Sequence, residues 1–310
     1  MLPITKAVRV STGRIHVGAF YMRRILRIWP LYFSVFFGLA LLNHVIPGTG
    51  TENRHAWLAF SFLCANWFVS RHGFVAAPID PLWSVSIEEQ FYLFIPLLAT
   101  LFGRRAMFYV SYVLLAIAVG VEVFYGLHPG GIGEWTNSFL QFQFFCAGTL
   151  IALILGGRVL PLSMPVRIGG CVVGFLCWLT LKWFAGSGAG WPVASSIGSW
   201  TLLLVGTVLI FLSTLGIPAR MVPRWLSYGG KISYGLYVYH GLMLFLVFKV
   251  TDHYGRPWLQ RGRPYETAVQ GFGILAALTL DLIVAHLSYV YFEGFFIRLK
   301  KRFTFVVSRD

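Results

Sequence analysis

The sequence predicts an all-α protein, a polytopic bundle of transmembrane helices, and three observations carry that expectation. Of 310 residues, 57% are hydrophobic and only 12% are charged, against about 25% charged in a soluble domain. The mean hydropathy is +0.71. The apolar residues also gather into runs near the roughly 20 residues that a helix needs to cross hydrocarbon. A net charge of +14 raises nucleic acid as a partner. The basic residues form no single stripe, however, and fall in short clusters between apolar runs, as topology-setting loops do. The lipid bilayer is the expected partner, and nucleic acid is not.

Eight apolar segments meet the length test, at about 29–46, 83–102, 106–126, 138–156, 166–185, 196–215, 233–250 and 268–298. They follow a basic segment, 1–28, whose cationic character runs on unbroken to the first acid, Glu52. The shorter run 56–69 contains Asn66 and reads as a re-entrant or partly buried extracytoplasmic segment. With eight spans and both termini cytoplasmic, the inner side collects 18 of the 25 Lys and Arg residues. Counting 56–69 as a full span would move Arg104 and Arg105 outside and invert every later loop, against the positive-inside bias. The longest polar connection, 251–267, then lies outside, and a basic tail, 299–310, closes a single domain on the inner face. Cys64, Cys146, Cys171 and Cys177 all lie in apolar stretches without metal-ligand spacing. They read as packing residues, with no disulfide framework and no metal site expected.

Charged and polar residues at the membrane are costly and mark the places to look for chemistry. Arg23, Arg24 and Arg27 lead into the first span in the run Phe20-Tyr21-Met22-Arg23-Arg24-Ile25-Leu26-Arg27-Ile28-Trp29-Pro30. Arg24 and Arg27 share a helix face. Two readings stay open for them: a topology anchor on anionic headgroups, or paired guanidinium forks gripping a phosphate group.

A second run, Asp80-Pro81-Leu82-Trp83-Ser84-Val85-Ser86-Ile87-Glu88-Glu89-Gln90-Phe91-Tyr92, opens a helix, with Asp80 as N-cap and Pro81 in the first turn. Ser84 and Glu88 align at i and i+4, which makes Glu88 the candidate for proton chemistry. Ser86-x-x-Glu89 has the pattern of a capping box, a structural role for Glu89. Trp83 and Tyr92 each fit a plain interfacial aromatic. His240, inside the seventh span after Tyr234 and Tyr237, is either a hydrogen-bonded structural histidine or a catalytic one. In the last span, Asp281, His286, Ser288 and Glu293 are expected to face the bundle interior and partner other helices. The topology count places Glu88 and Glu89 at the outer end of their helix, on the opposite side from Arg24 and Arg27.

Taken in order, these motifs resemble the membrane-bound acyltransferase family 3, O-acetyltransferases of surface polysaccharides. The matching pieces are Phe20-Tyr21-x-Arg23-Arg24-x-x-Arg27-Ile28-x-Pro30, Trp83-Ser84-x-Ser86-x-Glu88-Glu89-Gln90-Phe91-Tyr92, Tyr234-x-x-Tyr237-x-x-His240 and the closing Ser288-to-Glu293 stretch. The resemblance implies an O-acyltransferase of the cell inner membrane that moves an acyl group, acetyl above all, from cytoplasmic acyl-CoA to a hydroxyl of a cell-surface or lipid-linked carbohydrate. Acyl-CoA would be a co-substrate, with no bound cofactor. Arg24 and Arg27, with Arg23 beside them, would contact the coenzyme A phosphates. Glu88, Ser84 and His240 would form the catalytic set, His240 serving as base only if it lies near Glu88. Trp83, Ser86, Glu89, Tyr92, Tyr234 and Glu293 would be further motif positions.

One departure counts against a complete site. The family's first helix carries an Arg or Lys, ten residues and then a histidine, and a Gly-rich helix follows. Neither is present here, and Leu2-Pro3-Ile4-Thr5 is similar to the end of that second helix. The resemblance therefore implies an N-terminally incomplete sequence. The alternatives are an inactive short homologue, or a transporter or flippase-like protein that moves a lipid-linked sugar past the same intramembrane acids.

Overall fold

The computed structural model describes residues 17–128, 132–185, 192–254 and 263–303. Most of the basic N-terminal segment, the centre of the 251–267 connection and the end of the tail lie outside the described residues. The described residues form helices and no strands, and seven of the helices are long and apolar enough to cross a membrane. This is a multi-pass membrane protein.

The first long helix, α1, spans Val17–Leu42 and so starts well before residue 29. Phe20, Leu26, Ile28, Leu31, Tyr32 and Val35 form its buried face, which continues past the arginines toward the N-terminus. Arg23, Arg24 and Arg27 are therefore residues of a membrane helix rather than of a loop ahead of it. Beyond α1, the Asn43 side-chain oxygen accepts from Gly48 N at 2.9 Å and Gly50 N at 3.1 Å, folding the connection back on itself.

The 56–69 region forms two helices of eight residues each, α2 (Arg54–Ser61) and α3 (Ala65–His72). They are separated at Leu63, which takes φ +56°. Eight helical residues rise only about 12 Å, far short of the roughly 30 Å hydrocarbon layer, so neither helix is a span.

A single turn of 3-10 helix, Asp80–Leu82, leads into α4 (Trp83–Leu127). Asp80 does not cap it. Its carboxylate accepts instead from the backbone of Val75 at 2.9 Å and Ala77 at 3.2 Å, tying down the preceding loop. The helix α4 is interrupted at Gly103, whose φ of +71° and ψ of −170° are not helical and suit a residue without Cβ. The segments 83–102 and 106–126 thus meet at a glycine break with no loop between them. Eight apolar segments become seven long helices for that reason.

A short α5 (Gly133–Thr136) precedes α6 (Ser138–Leu155), whose N-cap Asn137 accepts from Phe139 N and Leu140 N. The pair α7 (Met164–Ala185) and α8 (Pro192–Thr214) packs closely where Gly174 faces Gly206, as small residues allow between membrane helices. Arg167 is buried and donates to the carbonyls of Leu162, Ser213, Leu215 and Leu160 at 2.8–3.3 Å. The chain ends with α9 (Arg224–Tyr254), α10 (Arg263–Leu287), a π-helical turn (Ser288–Glu293) and α11 (Gly294–Lys300). The apolar core centres on Tyr32, Phe36, Phe60, Ile79 and Leu82. Large apolar side chains on α4, α7 and α10, Leu101 and Phe272 among them, face outward, as a lipid-exposed surface requires.

Candidate functional site

The helices α1 and the start of α4 run side by side, and Tyr21 OH donates to the Leu93 carbonyl at 2.6 Å. This register sets Arg24 over the ring of Tyr92 at 4.1 Å, with Phe20 at 5.5 Å on its other contact. The Tyr92 hydroxyl bonds in turn to Glu88, one helical turn back, and Glu88 lies in the electrostatic field of both Arg24 and Arg27. Acids and arginines therefore share one site, which corrects their expected placement on opposite sides. The separation failed because Arg24 and Arg27 lie seven and ten residues into the described part of α1, beside Glu88 five residues into α4.

Glu89 also turns toward α1. Its Oε2 accepts from Trp29 Nε1 at 2.9 Å, while its Oε1 is buried with no hydrogen-bond partner among the described residues. The capping box is not formed, because both of its members are engaged elsewhere. Ser86 Oγ accepts from Ala65 N at 3.1 Å, at the start of α3, instead of from its own helix. The next residue, Gln90, faces the opposite way and belongs to a satisfied amide network. It donates to Asn66 Oδ1 at 2.9 Å and accepts from Ser138 Oγ at 2.6 Å, while Asn66 donates to the Thr136 carbonyl at 3.2 Å.

The later helices close the site. From α9, Tyr234 OH donates to the Ile28 carbonyl at 2.9 Å and lies in the field of Glu88, Glu89 and Glu293. Tyr237 OH is bonded to Ser84 Oγ at 2.5 Å and also contacts the Pro81 carbonyl. Within the π-helical turn, Ser288 Oγ donates to Glu293 Oε1 at 3.2 Å and Tyr239 OH reaches Ser288 at 3.3 Å. Glu293 is placed in the field of Arg27. Gly235 permits this approach, since a Cβ there would meet Glu293 Oε1 at 3.2 Å and Ala285 Cβ at 3.3 Å. A π-turn shifts the residues beyond it relative to the α-helical face, and here it presents Glu293 to the same cluster.

Of the residues singled out from the sequence, Arg24, Arg27, Ser84, Glu88, Glu89, Tyr92, Tyr234 and Glu293 gather around this cluster. Trp83 is buried rather than interfacial, and Ser86 serves α3. Arg23 points toward the chain's end, donating to the Phe303 carbonyl at 2.8 Å. His240 meets Tyr237, with Nδ1 at 2.6 Å from that residue's carbonyl, and couples to Asp281 on α10. Tyr237 meets His240 through its carbonyl and Ser84 through its hydroxyl, and it lies in the field of Glu88. Because a carbonyl only accepts, His240 Nδ1 is the donor in that hydrogen bond. Trp29 and Tyr237 were inside the quoted motifs without an assigned role, and nothing in their local spacing marks what they bond. Among the described residues, no group of three or more His, Cys, Asp or Glu is arranged to hold a metal ion.

Two guanidinium groups, three carboxylates and several hydroxyls thus meet inside an apolar bundle, a setting for anion binding beside proton transfer. Residues 10–287 match the Acyl_transf_3 family, described as an acyltransferase domain. The chain belongs to this acyltransferase family. A Staphylococcus aureus (strain COL) protein named "Putative O-acetyltransferase SACOL0978" is 22% identical over 306 residues, covering 91% of this chain and 48% of that protein. The O-acetyltransferase OatA of Staphylococcus aureus (strain NCTC 8325 / PS 47) is 23% identical over 252 residues, covering 74% of this chain and 41% of OatA. The chain spans about half the length of the curated relatives it matches. No solved structure matches it.

Proposed function

We propose that this acyltransferase transfers an acyl group, acetyl in the first instance, from acyl-CoA to a hydroxyl of a cell-surface or lipid-linked carbohydrate. It would work in the inner membrane with both termini cytoplasmic, the two halves of α4 on either side of Gly103 each crossing once. The observation that carries the reading is the continuous arrangement Arg24–Tyr92–Glu88, extended by Arg27 to Glu293. Family membership supplies the reaction class, and the names of the relatives support oxygen as the acceptor atom and acetyl as the group.

In this reading Arg24 and Arg27 hold the phosphates of the coenzyme with paired, charge-assisted hydrogen bonds. Glu88 takes the proton of the acceptor hydroxyl as its oxygen attacks the thioester carbonyl. The C–S bond breaks, coenzyme A leaves as the thiolate, and the proton held by the carboxyl group returns to that sulfur. Tyr92 fixes Glu88 and spaces it from Arg24, which keeps the carboxylate from being consumed in a closed ion pair. Ser84 and Tyr237 line the approach from His240, whose coupling to Asp281 makes it a positioning residue.

The test is transfer of labelled acetyl from acetyl-CoA in membranes of cells expressing the protein from its native locus. Label is expected in the carbohydrate fraction, and it should fall when Arg24 and Arg27 are both changed to Ala. Translocation of a lipid-linked sugar with no label transferred would establish the transporter reading instead.

A further inference from the structure

The turn that opens α4 is held by α9, and the hydrogen bonds that hold it run in one direction. Gly241 sets the distance. A Cβ there would meet the Pro78 carbonyl oxygen at 2.7 Å and Pro81 Cγ at 3.0 Å, so α9 lies directly against this turn. One helical turn earlier on the same face, the Tyr237 hydroxyl donates to the Pro81 carbonyl and is also bonded to Ser84 Oγ at 2.5 Å. A carbonyl only accepts, so the phenolic proton is committed to Pro81. The Tyr237 oxygen is then the acceptor in its second bond, and the proton between Tyr237 and Ser84 belongs to Ser84.

Glu88 lies four residues beyond Ser84 in α4, a spacing at which helical side chains are neighbours. A serine with an uncommitted proton would donate it to that carboxylate, and a carboxylate hydrogen-bonded in its charged form is a weaker base. The other groups around Glu88 are Arg24 and Arg27 from α1, Glu89 and Tyr92 from α4, and Tyr234 from α9. None of these bonds to Ser84, whereas Tyr237 does. We propose that Tyr237 is a positioning residue for acyl transfer, which takes the Ser84 proton and so leaves Glu88 open to the acceptor hydroxyl. The inference rests on the reading of Glu88 as the general base.

Transfer of labelled acetyl from acetyl-CoA into the carbohydrate fraction is measured in membranes, per folded molecule, for Tyr237→Phe in two backgrounds, with Ser84 present and with Ser84→Ala. With Ser84 present, Tyr237→Phe is expected to lower kcat about tenfold, the worth of one misdirected hydrogen bond. KM for acetyl-CoA should stay within about twofold, because Arg24 and Arg27 are untouched. In the Ser84→Ala background the same substitution should change kcat by less than about twofold, since no serine proton is left to redirect. Gly241→Ala is a second route, pressing α9 off the turn with every hydroxyl kept, and its effect should depend on Ser84 in the same way. An equal fall in both backgrounds would make Tyr237 a packing residue and overturn the proposal, as would unchanged transfer in folded Tyr237→Phe. Complete loss of transfer in Ser84→Ala alone would put Ser84 itself in the chemistry and overturn it too. Unchanged transfer in folded Glu88→Gln would instead remove the general base, and with it the reading on which the role of Tyr237 depends.

Discussion

Two clusters of inward-facing carboxylates lie in this bundle, and they are neutralised by different means. Glu88, Glu89 and Glu293 meet Arg24, Arg27, Trp29 and Tyr92, and one oxygen of Glu89 is buried without a partner among the described residues. Glu122 and Glu134, at the far end of α4 and on α5, meet neutral donors among the described residues. Trp200 Nε1 and Ser196 Oγ both reach Glu134 Oε1 at 2.7 Å, and Gln143 Nε2 reaches Glu122 Oε1 at 3.3 Å. A carboxylate held by neutral donors ties helices together and offers little to a ligand, because its hydrogen-bonding capacity is used within the fold. Cations held partly apart from acids, beside an unsatisfied oxygen, keep charge and hydrogen-bonding capacity in reserve. Buried polar groups of that second kind call for a functional explanation. In the function proposed here, the first cluster does the chemistry and the second assembles helices.

The largest effect is expected at Arg27, which lies in the field of both Glu88 and Glu293. Arg27→Ala should lower kcat/KM for acetyl transfer by about 100-fold or more, as removal of a preorganised charge from a low-dielectric site does. Near-normal transfer would break the link between that arginine and the acids. Trp29→Phe comes next. It removes the donor to Glu89 and leaves a charged oxygen unpaired, a cost of about 1.5–3 kcal/mol. Both Tm and transfer should fall, and a change in Tm alone would make Glu89 purely structural. Trp200→Phe removes a comparable bond to Glu134, at about 1.5–3 kcal/mol, and should lower Tm in thermal melts while the rate per folded molecule holds. The smallest effect is expected for Ser86→Ala, which takes the cap from the Ala65 amide at about 1 kcal/mol. It should appear as a modest fall in Tm without loss of transfer.

The all-α membrane class was legible because it rests on composition and run length, which survive any arrangement of the helices. The family motifs likewise pointed to Arg24, Arg27, Glu88 and Glu293. What stayed hidden is tertiary. The positive-inside count treats an arginine as a loop marker, and it misplaces Arg24 and Arg27 once carboxylates from α4 and the π-turn offset them inside the bundle. Ser86-x-x-Glu89 has the local pattern of a cap, but the Ala65 amide and the Trp29 indole compete for the same side chains and win. Gly103 joins two spans with no polar connection to announce the break. His240 and Asp281 sit on different helices, so no spacing within either helix reveals that they are coupled.

The most direct test sets Glu88→Gln beside Glu134→Gln in one experiment. Acetyl transfer per folded molecule and Tm are measured for both variants, expressed from the native locus at matched protein levels. Removing a general base costs about 100-fold or more in rate, so Glu88→Gln should lose transfer to that extent with Tm nearly unchanged. Glu134→Gln should lose Tm with transfer per folded molecule retained. Full transfer by folded Glu88→Gln, with transfer lost in folded Glu134→Gln, would reverse the assignment of the two clusters and contradict the account.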